Sequence, residues 1–519
     1  FKPSILEITL FVLNRSKLNF EKRSDPQEVT RALNTMVYQG YAEEGINGII
    51  EGNWDYVFQS EFNGLKTEEP LFWTGSADVL EKYYKNNGTK IGFGQCWVFT
   101  GVLISMLRAL GIPSRPVTVG FSGVALDNDL KIDYEEKNGE LVYPDKNNFI
   151  WNFHVWVQAS MQRLDMGTRY AGWQEVDPTY AKGPVSHRSI YESEINSTDL
   201  AYFYAAINAD EASWNNGTLL RINTNSFIVT PNITENEDIF ITRSFKPEEG
   251  TNEERLHYLN ATRSLGVEVL FLKQRRKRSI KNKAEDYLLI NPIEPVSIGD
   301  PLSFVITMKN PTLKTLVFRL SLKVNSVFNN LTVAHVIRNS TTTHTINSKQ
   351  NVDFYEKIEF PEYKSKLVSS KTLSINAIIE GNGETFSFDT QMITFLTPHI
   401  KLEYLRNYKG ECEHGESSIS DSVGDQNYKK HDNATQIAIK VFLENRVSFA
   451  LNNARISMEG IRCDRKVYNM GRIQANEEIG RTLCITCKRS SAIKESIVAS
   501  LISDELDDVK GHTSIGLLQ

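Results

Sequence analysis

A mixed α+β domain followed by two all-β modules is the fold class that this 519-residue chain predicts. Three observations predict it. All seven tryptophans fall before residue 215, among helix-like apolar patterns interleaved with short strands. From residue 289 onward the pattern turns to period-two alternation punctuated by Asn, Gly and Pro. A weak repeat at an offset of 135 residues then relates two parts of that β-rich half. In it, Phe304-Val-Ile-Thr-Met-Lys-Asn310 followed by Arg319-Leu-Ser-Leu resembles Ile439-Lys-Val-Phe-Leu-Glu-Asn445 followed by Arg455-Ile-Ser-Met.

The length exceeds one core, because single cores stop growing near ~250–300 residues. Hydrophobic residues at 40% and charged ones at 24% are ordinary globular usage and exclude wholesale disorder. A net charge of −6 argues against a nucleic-acid binder built on a basic surface. The longest apolar run, Val98 to Ile112, is interrupted by Arg108 and falls short of the ~18 residues of a membrane helix. The chain opens Phe1-Lys2-Pro3 without Met, strand-like in character, and reads as a fragment of a longer protein.

Within the first part, Ser76-Ala-Asp-Val-Leu-Glu-Lys-Tyr-Tyr and Trp97 to Leu110 read as helices, the second stopped by Gly111 with Pro113 beyond. Pro116-Val-Thr-Val and Phe153-His-Val-Trp-Val read as strands. At Lys273-Gln-Arg-Arg-Lys-Arg-Ser-Ile-Lys-Asn-Lys seven positive charges fall in eleven residues. This is a solvated linker, with a convertase site at Arg275–Arg278 or a polyanion patch as sharper alternatives. Beyond it, Ser303 to Lys309, Phe318 to Val324 and Lys371 to Ile379 alternate as strands. The expected domains are 1–272, a linker 273–288, and β modules at 289–397 and 398–519.

Cys96 stands alone in the first 400 residues, and Cys412, Cys463, Cys484 and Cys487 follow, so an odd thiol is left over. Cys484-Ile-Thr-Cys487 has neither a second such pair nor a nearby His, which favours structural thiols or a local disulfide over a metal site.

The chemistry concentrates around Gly92-Phe-Gly-Gln-Cys96-Trp-Val-Phe. A glycine-rich turn running into an apolar helix puts Cys96 at the helix N-terminus, where unpaired N–H groups favour thiolate. A buried structural cysteine is the alternative. A cysteine nucleophile needs a base, and the base an orienter. Only His154, His187 and His257 precede the linker, and His154 lies in the aromatic strand Trp151-Asn-Phe-His-Val-Trp-Val. Asp177 ends Gly172-Trp-Gln-Glu-Val-Asp177-Pro-Thr-Tyr and, on an adjacent strand, could fix the imidazole tautomer.

Gly94-Gln-Cys96-Trp-Val-Phe, Ile150-Trp-Asn-Phe-His154-Val-Trp and Gly172-Trp-Gln-Glu-Val-Asp177-Pro-Thr, spaced by 58 and 23 residues, resemble the active-site signature of animal transglutaminases. The resemblance implies a papain-like α+β (transglutaminase) catalytic core followed by two all-β barrel or sandwich domains, without the family's N-terminal β-sandwich. It implies a triad of Cys96 nucleophile, His154 base and Asp177 orienter. Gly52-Asn-Trp54-Asp is similar to the family's oxyanion-stabilising tryptophan motif, and Trp151 to the other wall of its amine tunnel. Asn208, Asp210, Glu249 and Glu254 resemble the family's principal Ca²⁺ site, an all-oxygen donor set. Asp127, Asp129 and Asp133 resemble a second calcium loop, about two residues shorter than the family's.

Two departures concern regulation. Glu403 stands where guanine-nucleotide-binding members carry an arginine, and Val327-Phe-Asn-Asn330 offers no counterpart of the latent members' barrel tyrosine. Nine Asn-x-Ser/Thr sequons, at Asn14, Asn87, Asn196, Asn216, Asn232, Asn260, Asn330, Asn339 and Asn433, point to secretion rather than cytoplasm.

The implied activity is that of a calcium-dependent protein-glutamine γ-glutamyltransferase, an acyltransferase working through a Cys96 thioester. Its partners are proteins with reactive glutamine and lysine side chains, or polyamines. Neither nucleic acid nor an integral membrane segment is expected, and a homodimer is left open. The alternatives are a catalytically silent scaffold of the same fold and a papain-like protease. The family's silent member lacks the cysteine that this chain keeps. A protease would leave the calcium residues and tunnel tryptophans unexplained.

Overall fold

The computed structural model describes the chain except residues 1–2, 55–56, 74, 138–139, 143–146, 216–217, 224–226, 233–237, 249–250, 266–286, 330, 369, 382–383, 407, 415, 418–433, 461–462, 489–494, 507–508 and 516–519. The basic run at 273–283, Glu249 and the sequons at Asn216, Asn330 and Asn433 lie outside the described residues.

The opening segment is helical, not strand-like: α1 spans Pro3–Arg15. Ile5, Ile8, Val12 and Leu13 are buried, a stripe at helical spacing that outweighs the β-branched residues beside it. With α2 (Pro26–Val37) and α3 (Ser76–Lys85) it packs on α4 (Cys96–Ala109). Val98, Phe99, Val102, Leu103, Met106 and Leu107 of α4 are buried, so the helix is the inner element of this lobe. Gly111 (φ +84) provides the left-handed turn after it, as the sequence predicts. None of the described helices is long and apolar enough to cross a membrane.

Two short parallel strands, β1 (Ile50–Gly52) and β2 (Ile91–Gly94), lead into α4. The main sheet of the core pairs β3 (Ser114–Ala125), β4 (Asn148–Met161), β5 (Gly172–Asp177) and β6 (Lys182–Ser186) antiparallel in the order β6-β5-β4-β3. It continues past β3 through Phe227–Pro231 and Asp238–Phe240. Helix α4 packs against β4, and Thr100 Oγ1 donates to Val155 O at 3.0 Å, fixing the helix against the strand that carries His154. Helix α5 (Thr198–Asn208), capped by the Ser197 side chain, packs on β3 with every residue from Leu200 to Asn208 buried. Helix α6 (Asn252–Ser264), capped by Thr251, packs against α5.

The β-rich half begins with two facing sheets, of three strands (Leu288–Ile290, Leu302–Lys309, Asn351–Ile358) and four (Leu316–Val327, Val333–Ile346, Thr372–Gly381, Glu384–Thr394). Phe304, Ile306 and Met308 face Phe318, Leu320 and Leu322 in one core, the product of the period-two pattern. The last module differs in form. It is a single nine-stranded sheet whose first and last long strands, Ile400–Leu405 and Val509–Ile515, come together. At Gly511 a β-carbon would sit 1.9 Å from Ile400 O, so only glycine permits that approach.

The repeat has a structural counterpart. Asn310 and Asn445 each follow a strand end, are buried, and donate from Nδ2 to the carbonyl four residues on (Lys314 O, 2.7 Å; Phe449 O, 3.0 Å). Each also reaches a distant strand end, Ile346 O and Ile473 O. The expectation of structural thiols or a local Cys484–Cys487 bridge is overturned. Cys484 bonds Cys412, and Cys487 bonds Cys463 on the facing strand. Residues three apart on a strand point to opposite faces, so each meets a different partner.

Candidate active site

Helix α4 starts at Cys96, which is 5% exposed and the free cysteine of the chain. As the first helical residue its amide has no intrahelical acceptor, and the positive end of the helix lies beside the sulfur. Strand β4 holds His154, and β5 pairs with β4 through Val157↔Val176, which brings Asp177 alongside. His154 Nε2 donates to Asp177 Oδ2 at 2.6 Å, with the two side chains 1% and 0% exposed. The other ring nitrogen, Nδ1, is buried without an N or O partner. The Cys96 side chain interacts with the ring and helps hold the imidazole protonated.

Burial alone would push the His154 pKa down, but the Asp177 charge and hydrogen bond, reinforced by Cys96, raise it to about 10. Burial pushes the Asp177 carboxyl up. The His154 charge and hydrogen bond, with Tyr202 and the Thr179 amide, outweigh it and hold the group below the ordinary carboxylate range. The favoured state of the pair is imidazolium–carboxylate, with a sulfur at the free side of the ring.

Both predicted tryptophans are here. Trp151 stacks on His154 (centroids 6.0 Å apart, interplanar 14°), and Trp54 adjoins Trp151 at 6.1 Å. Tyr38 and Phe99 pack against the other sides of Trp54. The two indoles thus form a continuous apolar surface running from beside His154, the element needed to keep water from a reactive acyl group.

Asn208, Asp210 and Glu254 converge, all less than 5% exposed. Asn208 Nδ2 donates to Glu254 Oε1 at 3.0 Å, and the Arg255 guanidinium bonds both Asp210 Oδ1 (2.8 Å) and the Glu254 carboxylate. Asn208 Oδ1 is buried with no partner, an oxygen left over in a site of two buried carboxylates. These donors fit a hard cation, though among the described residues no three His, Cys, Asp or Glu side chains are grouped to hold a metal. In the second predicted loop, Lys131 Nζ bonds Asp133 at 2.6 Å and lies 3.6 Å from Asp129, while Asn148 Nδ2 donates to Asp127 Oδ2. Burial, then the neighbouring Asp127, pushes the Asp129 carboxyl up to about 6.

Several residues escape sequence reading. Tyr202 on α5 donates to Asp177 Oδ2 at 2.5 Å. Tyr180 contacts both His154 and Tyr202 through its ring. Glu175, wholly buried two residues before Asp177, accepts from Trp156 Nε1, Gln158 Nε2 and His187. Asn329 of the β-rich half donates from Nδ2 to Gln95 Oε1 (3.3 Å) and accepts the Asn152 amide (2.9 Å), and Gln95 Nε2 donates to Asn53 O (2.6 Å). That chain joins the loops of Trp54, Cys96 and His154 to one turn of the following module. Period and spacing could not find these contacts, since they join segments up to 234 residues apart.

Residues 64–178 match the family described as the Transglutaminase-like superfamily. The hemocyte protein-glutamine gamma-glutamyltransferase of Tachypleus tridentatus is 31% identical over 435 residues, 78% of this chain and 55% of the relative. Protein-glutamine gamma-glutamyltransferase E of Bos taurus is 28% identical over 78% of this chain and 61% of the relative. The human protein-glutamine gamma-glutamyltransferase 5 is 26% identical over 99% of this chain and 74% of the relative. The crystal structure of red sea bream transglutaminase superposes with a TM-score of 0.75 at 22% identity, covering all of this chain and 74% of the other, a likeness of fold. The chain therefore spans about half to three-fifths of the length of the first two of these relatives.

Proposed function

We propose that this chain, which carries a transglutaminase-like core, is a calcium-dependent protein-glutamine γ-glutamyltransferase. The observation that carries the proposal is the buried His154–Asp177 pair with the Cys96 sulfur at the free side of the imidazole. Cys96 thiolate attacks the carboxamide carbon of a substrate glutamine. The oxygen takes up negative charge, which the Cys96 amide and the Trp54 indole N–H would stabilise. Imidazolium gives its proton to the departing nitrogen, ammonia leaves, and a thioester remains. A lysine ε-amine, or a polyamine, then attacks the thioester carbonyl and passes its proton to His154. The new amide leaves and thiolate returns. The indoles of Trp54 and Trp151 disfavour water as the competing nucleophile.

Asn208, Asp210 and Glu254, with Glu249, would hold Ca²⁺, which would supply positive charge between carboxylates and tie their loops together. A site outside the triad makes the ion a switch rather than a Lewis acid. Protein substrates follow from the relatives' names. An extracellular location is supported by exposed Asn14, Asn87, Asn196, Asn260 and Asn339 and by two disulfides.

The test is incorporation of a fluorescent primary amine into a glutamine-rich protein with calcium and with chelator. Incorporation with calcium alone is expected. Peptide cleavage without incorporation would replace the transferase by a protease, and neither activity would make the chain a scaffold.

A further inference from the structure

Asp177 Oδ2 receives two donors, His154 Nε2 at 2.6 Å and the Tyr202 hydroxyl at 2.5 Å, and that hydroxyl lies 3.4 Å from His154 Nε2. Tyr202 is 1% exposed, so no water substitutes for either partner. Its phenol is pushed well above its ordinary value, by burial and then by Asp177, and so remains a donor. The second carboxylate oxygen already accepts the Thr179 amide at 2.8 Å.

We infer that Tyr202 is a positioning residue that limits how strongly Asp177 holds the His154 imidazolium, and so sets how readily that imidazolium gives up its proton. The inference rests on the triad reading above. A carboxylate oxygen shared between two donors offers each less charge than one donor would receive. The phenol thereby keeps the imidazolium acidic enough to surrender its proton to a leaving amine, a task that an unshared Asp177 would hinder. Among the described residues the titratable groups facing His154 are Asp177 of β5, Cys96 of α4, Tyr180 of the turn after β5 and Tyr202 of α5. Of these, Tyr202 is the neutral group that bonds the orienter directly.

The test is the NMR titration of the His154 ring, labelled with 15N, between pH 4 and pH 11 with calcium present. Tyr202→Phe removes one oxygen and keeps the ring. Its imidazolium should persist to higher pH by up to about one unit, the scale of a hydrogen bond to a charged group. Site-specific 3-fluorotyrosine at 202, a stronger donor of nearly equal size, should let the imidazolium proton go at lower pH and covers the case of a poorly folded Phe variant. A purely structural role leaves the midpoint where it is. Superimposable profiles, or shifts of the opposite sign, overturn the inference. A shifted profile without amine incorporation by wild type would defeat the transferase reading and leave the inference standing. A wild-type imidazole that stays neutral throughout would overturn both.

Discussion

His154 is where the opposing energies meet. Burial disfavours its charge, and the Asp177 charge wins, so the folded pKa of about 10 exceeds the unfolded value of 6.5. The stability that comes from the raised His154 pKa is full below pH 6.5 and is lost as the pH rises through about 10. Denaturation of wild type and His154→Gln at pH 6 and pH 10.5 should show the difference between them shrinking at the higher pH. A constant difference would detach the imidazolium from the stability of the core. Trp54→Phe keeps the packing against Tyr38, Phe99 and Trp151 but loses the N–H. Amine incorporation should fall by roughly 10²–10³-fold with little change in melting temperature, and Trp54→Tyr should retain more. Equal rates for all three would make Trp54 a packing residue. The triad types and the two tryptophans were legible because each sits in a short aromatic or glycine-rich motif. Tyr202 was not, since nothing in Thr198–Asn208 distinguishes a tyrosine facing Asp177 from one facing apolar neighbours.

Helix α5 carries Tyr202 against the triad and ends at Asn208 of the proposed calcium set, so one helix spans both groups of residues. Arg255 supplies positive charge there, bonding Asp210 and Glu254. Asp210→Asn should raise the calcium needed for half-maximal amine incorporation and leave the rate at saturation nearly unchanged, as a titration after chelation would read. An unshifted midpoint would remove Asp210 from calcium binding. The turn that carries Asn329 is a second connecting element. Asn329→Ala removes one donor to the buried Gln95 carbonyl oxygen, so unfolding should cost about 0.5–1.5 kcal/mol less by urea titration. An unchanged midpoint and slope would mean that the two halves do not rely on this contact. Helices α3 and α4 and the alternating strands were legible from period alone. The opening Phe1-Lys2-Pro3 reads as strand-like, whereas the buried stripe at helical spacing that follows makes the segment helix α1.

Across the whole molecule the chemistry occupies one half and the covalent staples the other. The two disulfides tie strands of the last module across separations of 72 and 24 residues, while Cys96, buried in the first half, forms no disulfide. The cysteine pairing was beyond the sequence because four late cysteines fix neither register nor facing strand. The repeat was legible as a pattern, and its meaning, a buried Asn closing a turn in each module, required the fold. The central claim is that Cys96 forms a thioester with substrate glutamine and passes the acyl group to an amine. The most direct measurement is intact-protein mass spectrometry of wild type and Cys96→Ala, quenched in acid after mixing with calcium and a glutamine peptide, before and after adding a primary amine. Wild type should gain the peptide mass less ammonia, lose it when amine is added, and release amine-modified peptide, whereas Cys96→Ala should do none of these. An adduct on the alanine variant, or amine-modified peptide formed by it at the wild-type rate, would contradict the assignment of Cys96 as nucleophile.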